Sequence, residues 1–104
     1  EETKQGFSEE ELLGLIPALE SLKCVRVKGL MAMASFTEDE AQIRKEFAAF
    51  NTVFDRMKQT NSPALSDFTI KSFGMTNDYH IAIEMGSNMV RIGTKIFGAR
   101  GVQL

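Results

Sequence analysis

Residues 68–100, FTIKSFGMTNDYHIAIEMGSNMVRIGTKIFGAR, constrain the fold more than any other stretch of the chain. They read as two consecutive strand-loop-helix units, each with a small, glycine-bearing turn where the strand hands over to the helix. Strands separated by helices imply a parallel sheet with right-handed crossovers. Ser72, Gly74 and Thr76 lie at the first handover, and Arg91, Gly93 and Thr94 at the second. Backbone N–H groups, hydroxyls and one guanidinium can therefore converge on a single anion. The first amides of a helix have no partner within it and sit at the positive end of its aligned peptide dipoles, which suits a phosphate.

The preceding residues extend the same alternation. Ser8 and Glu11 form a capping box that opens a helix reaching to about Lys23. Leu12, Leu15, Ile16, Leu19 and Leu22 share one face of it, and Pro17, which lacks an N–H, should kink it. Val25 to Met33 reads as a strand in which Gly29 marks close backbone approach or a local bend. Thr37 and Glu40 suggest a second capping box, followed by a helix whose apolar stripe is Ile43, Phe47, Phe50, Phe54 and Met57, at intervals of four and three. Asn61-Ser62-Pro63 breaks the chain, and Phe68 to Phe73 forms the next strand. Thr76 is expected to cap a short helix running through Met85, with Gly86 as its stop. Met89 to Ile92 is a third strand and Thr94 to Ala99 a short final helix. The order is α-β-α-β-α-β-α.

Two anion-binding turns on neighbouring parallel strands match the phosphate site of (β/α)8 barrels, which commonly uses the loops after the seventh and eighth strands and a short helix. A closed barrel needs about 250 residues, and this chain has 104. The expected fold class is therefore α/β: about three βα units of a TIM-like barrel, incomplete, with 1–104 a single partial domain. With 43% hydrophobic and 25% charged residues the composition is that of an ordinary globular domain. A formal net charge of -2 gives no basic footprint for nucleic acid. No apolar run approaches the about 20 residues of a membrane span, and Glu1-Glu2-Thr3-Lys4 is too polar for a signal peptide, so a cytoplasmic location is expected. Cys24 is the single cysteine, which rules out an internal disulfide and a cysteine-rich zinc site; its apolar neighbours suggest a packing residue at a strand start. His80 is the single histidine and is expected on the polar side of a short helix, so a hydrolytic triad has little to build on. No metal site and no catalytic residue is expected.

The chain resembles the C-terminal part of the pyridoxal phosphate homeostasis proteins, single-domain barrels similar to the N-terminal domain of alanine racemase. The resemblance is carried by Lys71-Ser72-Phe73-Gly74-Met75-Thr76, Ala82-Ile83, Gly86-Ser87, Val90-Arg91-Ile92-Gly93 and Ile96-Phe97-Gly98-Ala99-Arg100. Upstream, Lys28-Gly29-Leu30-Met31-Ala32, Thr37-Glu38-Asp39, and Glu2 with Lys4 and Gly6 also match the family's signatures. This resemblance implies pyridoxal 5′-phosphate as cofactor and a part in vitamin B6 balance, with no enzymatic reaction of its own. The implied contacts are Ser72, Gly74, Met75, Thr76, Gly93 and Thr94 around the phosphate, with Arg91 facing the pyridine nitrogen. The family's Schiff-base lysine falls before the first residue of this sequence. The chain is thus expected to hold the phosphate half of the site and to show no borohydride-trappable cofactor linkage. The partners implied are pyridoxal phosphate or a phosphate or sulfate anion, and either the missing N-terminal barrel portion or copies of the chain itself.

Lys71 and Phe73 depart from the leucine and methionine of the family's motif. If Ser72 points into the barrel, alternation sends both outward beneath the helices, where an unpaired lysine is expensive unless it snorkels to water. The departure hints at deliberate alteration. An outward Lys71, like Lys95, is a poor substitute for the Schiff-base lysine. Two alternatives stand beside the carrier reading: a truncated or engineered barrel fragment that self-assembles with no activity of its own, and part of an amino-acid racemase-like enzyme whose second base comes from elsewhere.

Overall fold

The computed structural model describes residues 6–98; Glu2, Lys4, Ala99 and Arg100, and the side chain of Lys95, lie outside what it describes. Helix α1 (Glu9–Glu20) leads to β1 (Gly29–Met31), α2 (Glu40–Gln59), β2 (Ile70–Met75), α3 (Tyr79–Glu84), β3 (Met89–Arg91) and α4 (Thr94–Phe97), with one 3-10 turn at Pro63–Leu65. The three strands form a parallel sheet in the order β1-β2-β3. This is the arrangement of three successive βα units of a barrel, left open.

Register decides which side chains face the helices. Leu30 pairs with Lys71, and Met31 with Ser72, which in turn pairs with Met89. The Leu30 and Phe73 side lies under the helices, while Met31, Ser72 and Met89 share the other face. Between Ser72 and Met75 the ladder slips: three steps along β2 match two along β3, from Met89 to Arg91. The extra residue is a bulge containing Gly74, whose φ is +112°. A bulge re-aims the side chains beyond it, and this one returns Met75 to the helix-free face beside Arg91.

Helix α2 is the spine of the core, as its stripe predicts. Phe54 and Met57 pack with Ile16, Leu65 and Phe68, and Ile43 and Phe47 with Phe73, Ile81 and Ala82, while Phe50 touches both groups. Ring centroids lie 4.5 Å apart for Phe47 and Phe73, 4.8 Å for Phe50 and Phe73, and 4.5 Å for Phe54 and Phe68. Burying each such side chain contributes about 1.5–3 kcal/mol. Exposed ion pairs tie the periphery: Arg26 to Asp67 at 3.0 Å, Arg44 of α2 to Glu84 of α3 at 2.9 Å, and Arg56 of α2 to Glu9 of α1 at 2.7 Å. The hydrogen bond from Arg56 to Glu9, and then the carboxylate's charge, raise the guanidinium's pKa.

Several expected boundaries shift. The capping box of Ser8 and Glu11 forms, but α1 ends at Glu20, three residues after Pro17, and leaves Leu22 outside the helix and half exposed. Helix α2 is capped by Asp39, whose Oδ1 accepts from Gln42 N–H at 3.2 Å. Thr37, expected in that role, instead accepts from Asp39 N–H at 3.1 Å. The first strand is only three residues long because pairing begins at Gly29; a β-carbon at that glycine would run into the Ile70 carbonyl. Cys24 lies in the preceding loop and is exposed, so it is not a packing residue. Helix α3 starts at Tyr79 with Asp78 at its N-cap position, which removes Thr76 from the capping role and frees it for the loop. His80 is exposed on that helix, as expected.

Candidate functional site

The C-terminal ends of the strands open onto a cleft of about 660 Å³. Its walls come from the segment after β1 (Met33, Ala34, Phe36), the end of β2 and its turn (Met75, Thr76, Asn77, Asp78), and the end of β3 and its turn (Arg91, Gly93, Thr94).

Arg91 forms the floor. Its side chain turns back across the sheet, and Nη2 donates to the carbonyls of Ala32 at 2.8 Å and Ser72 at 3.3 Å, so one guanidinium spans the ends of all three strands. Its Nε–H is buried and has no hydrogen-bond partner. A buried donor on a permanent cation is costly to leave unmatched. Among the described residues this N–H is the one buried side-chain donor without a partner.

The two turns meet at the rim. Gly93 N–H donates to Thr76 Oγ1 at 3.2 Å. Because that hydroxyl accepts from Gly93, its own hydrogen is left for another acceptor. The Met75–Asp78 turn is fixed by a reciprocal pair: Asp78 Oδ1 accepts from Met75 N–H at 2.8 Å, and Asp78 N–H donates to Met75 O at 3.1 Å. The Asp78 carboxylate is almost fully buried in this role. Behind it, Ser87 bridges β2 and β3 at the bulge, with its Oγ 2.6 Å from Phe73 O and 3.1 Å from Lys71 O. Asn88 continues the ladder, accepting from Lys71 N–H and donating to Thr69 O, each at 2.8 Å.

Of the expected site residues, the structure brings Met75, Thr76, Arg91, Gly93 and Thr94 to one cleft. Ser72 and Gly74 are not among its walls. Ser72 is buried and contributes its carbonyl to Arg91. Gly74 is packed under α3, where a β-carbon would meet Ala82 Cβ at 2.6 Å. Sequence reasoning missed Asp78, Met33 and Phe36. An aspartate just before a helical apolar pattern is an N-cap signal, but Thr76, Asn77 and Asp78 all qualify, and only the backbone chooses among them. Lys71 extends outward as expected, with Nζ 4.9 Å from the centroid of the Phe54 ring. Among the described residues no cluster of three His, Cys, Asp or Glu side chains could hold a metal, and no helix is long and apolar enough to cross a membrane.

The chain is similar to known proteins in sequence and in fold. The chain is 40% identical over 100 residues to the pyridoxal phosphate homeostasis protein of Pasteurella multocida, covering 96% of this chain and 42% of that protein. It is 41% identical over 100 residues to the protein of the same name from Haemophilus influenzae, with 96% and 41% covered. It thus spans about two fifths of the length of these relatives. Among solved structures, PipY of Synechococcus elongatus without PLP superposes with a TM-score of 0.83 at 31% identity, over 92% of this chain and 44% of that one. PipY with PLP bound gives 0.82 at 30% identity and the same coverage. The family profile of alanine racemase, N-terminal domain, matches residues 2–101. By sequence and by fold, the chain belongs to the alanine racemase N-terminal domain family, among relatives named pyridoxal phosphate homeostasis proteins.

Proposed function

We propose that this chain carries the phosphate-binding portion of a pyridoxal 5′-phosphate site, and that its role is to hold the cofactor in vitamin B6 homeostasis and not to catalyse a reaction. The observation that carries this reading is the meeting of the Thr76 and Gly93 turns over the Arg91 floor. The Thr76 hydroxyl hydrogen and the first amides of α4 would hold the phosphate. The buried Nε–H of Arg91 fits the unshared pair of a pyridine nitrogen, a neutral acceptor of the kind that atom lacks. When bound, pyridoxal phosphate would supply an aldehyde able to condense with amines and a ring able to delocalise electron density. An arginine stays charged throughout the physiological range, so it keeps the ring nitrogen unprotonated and blunts that delocalisation, which favours holding the cofactor over transforming substrates with it. The sheet would be completed by further barrel strands or by a second copy, because β1 and β3 each pair on one side only among the described residues.

Isothermal titration calorimetry of the chain with inorganic phosphate and with pyridoxal 5′-phosphate tests this. Both should bind, and Thr76→Val should weaken both by about tenfold, the loss expected for a hydrogen bond to a charged group. Failure of the wild-type chain to bind either ligand would overturn the proposal.

A further inference from the structure

Phe36 is the most exposed large apolar side chain among the described residues, at 91% of its full exposure. It is not on a loose loop. On one side Ser35 is fastened to α2: its N–H and Oγ donate to the two carboxylate oxygens of Glu46 at 2.7 and 2.9 Å. On the other, Thr37 Oγ1 accepts from Asp39 N–H, and Asp39 caps α2. The backbone is thus pinned on both sides of a ring that stands almost fully exposed. That ring stands between two clefts, the cleft of about 660 Å³ over Arg91 and a neighbouring one of about 490 Å³ in front of α3. The walls of the larger cleft include Met33 and Met75, the latter placed there by the bulge in β2. A bare oxyanion has no use for three large apolar side chains around it.

We infer that Phe36 is a specificity-determining residue of this cleft: it folds down over the face of a ring-bearing phosphate ester, with Met33 and Met75 as the other apolar contacts, and contributes nothing to bare phosphate. The inference rests on the ligand reading above and deepens it. Phenylalanine has two side-chain torsions, so covering a ligand requires a rotamer change and no movement of the pinned backbone, and it removes apolar area of both partners from water. Aromatic faces add an offset-stacking preference that an aliphatic side chain lacks.

The test uses the full chain and two probes, inorganic phosphate and pyridoxal 5′-phosphate, titrated separately by calorimetry. Phe36→Ala should weaken pyridoxal phosphate binding by about tenfold while leaving phosphate binding within about twofold, and Phe36→Tyr should restore the former. Because Phe36 is almost fully exposed, its replacement should leave the thermal midpoint in place. Unchanged binding of pyridoxal phosphate by Phe36→Ala would overturn the inference and leave the ring as an anchor for another protein. Equal weakening of both ligands would overturn it too, by assigning the effect to the loop and not to the ring. A wild-type chain that binds phosphate but not the ring-bearing ester would likewise overturn it, whereas binding of neither would sink the ligand reading itself.

Discussion

At Gly74 the backbone leaves the regular pleat of β2 with φ of +112°, and a β-carbon there would stand 2.6 Å from Ala82 Cβ and 3.2 Å from Val90 Cγ1. Gly74→Ala should therefore destabilise the chain by about 2–4 kcal/mol, from backbone strain and overpacking together, read as a lower urea midpoint. Gly93 is the contrast: its φ is negative and a β-carbon would meet nothing within 4 Å. Gly93→Ala should change stability by less than about 0.5 kcal/mol and, since the added β-carbon meets no neighbour, leave phosphate binding by calorimetry within about twofold. In the sequence these two glycines look alike, each at the end of an apolar strand and close before a threonine. What separates them is which neighbour occupies the space a side chain would need, and that neighbour is supplied by another element. Arg91 was legible as a charged residue in an apolar strand, but its bonds to Ala32 and Ser72 carbonyls were not, because they depend on strand order. Arg91→Met should destabilise by about 1–3 kcal/mol by leaving the Ala32 carbonyl without its donor, while the Ser72 carbonyl keeps the Ala32 N–H at 3.0 Å, and it should also weaken pyridoxal phosphate binding more than phosphate binding.

Among the elements, α2 was the most legible because its apolar residues recur with the helix's own period and need no knowledge of the rest of the chain. Ile43, Phe47, Phe54 and Met57 are all buried. Its start was misread by two residues. Thr37-Glu38-Asp39 offers two side chains able to cap, and the structure uses both in series, with Thr37 Oγ1 receiving Asp39 N–H and Asp39 Oδ1 receiving Gln42 N–H. Asp39→Ala should thus lower stability by about 1 kcal/mol, and Thr37→Ala by less, since Thr37 bonds only the N–H of the cap residue. Thermal melts of the two variants would separate these roles, and equal losses would contradict the assignment. Strand lengths were the least legible feature. Residues 25–28 have strand-like composition, yet the ladder starts at Gly29 because only there does β2 come alongside. The bulge at Gly74 left no periodic trace, although it decides that Met75 faces the cleft.

For the molecule as a whole, the alternation of helices and strands implies a parallel sheet, and because parallel strands end on the same side, both glycine turns lie at one rim. What the alternation does not provide is a cover for the sheet's second face. Met31 and Met89, which flank Ser72 on that face, are 61% and 46% exposed. Nearby, β1 and β3 each keep one unpaired edge among the described residues. An apolar face bordered by open parallel edges favours association, and a formal net charge of -2 offers little repulsion against it. Sedimentation velocity should accordingly show a coefficient that rises with concentration. Because both methionines are exposed, Met31→Lys combined with Met89→Lys should leave the fold intact and return the chain to a monomer, since two like charges brought onto facing copies repel. If the wild-type chain stays monomeric at high concentration, the face is tolerable to water as it stands. If the double variant associates as strongly as the wild type, the strand edges drive assembly and not the methionine face. Phosphate binding by that variant gives an independent check, because the rim built by Thr76 and Gly93 depends on the ends of β2 and β3 and should survive the loss of self-association.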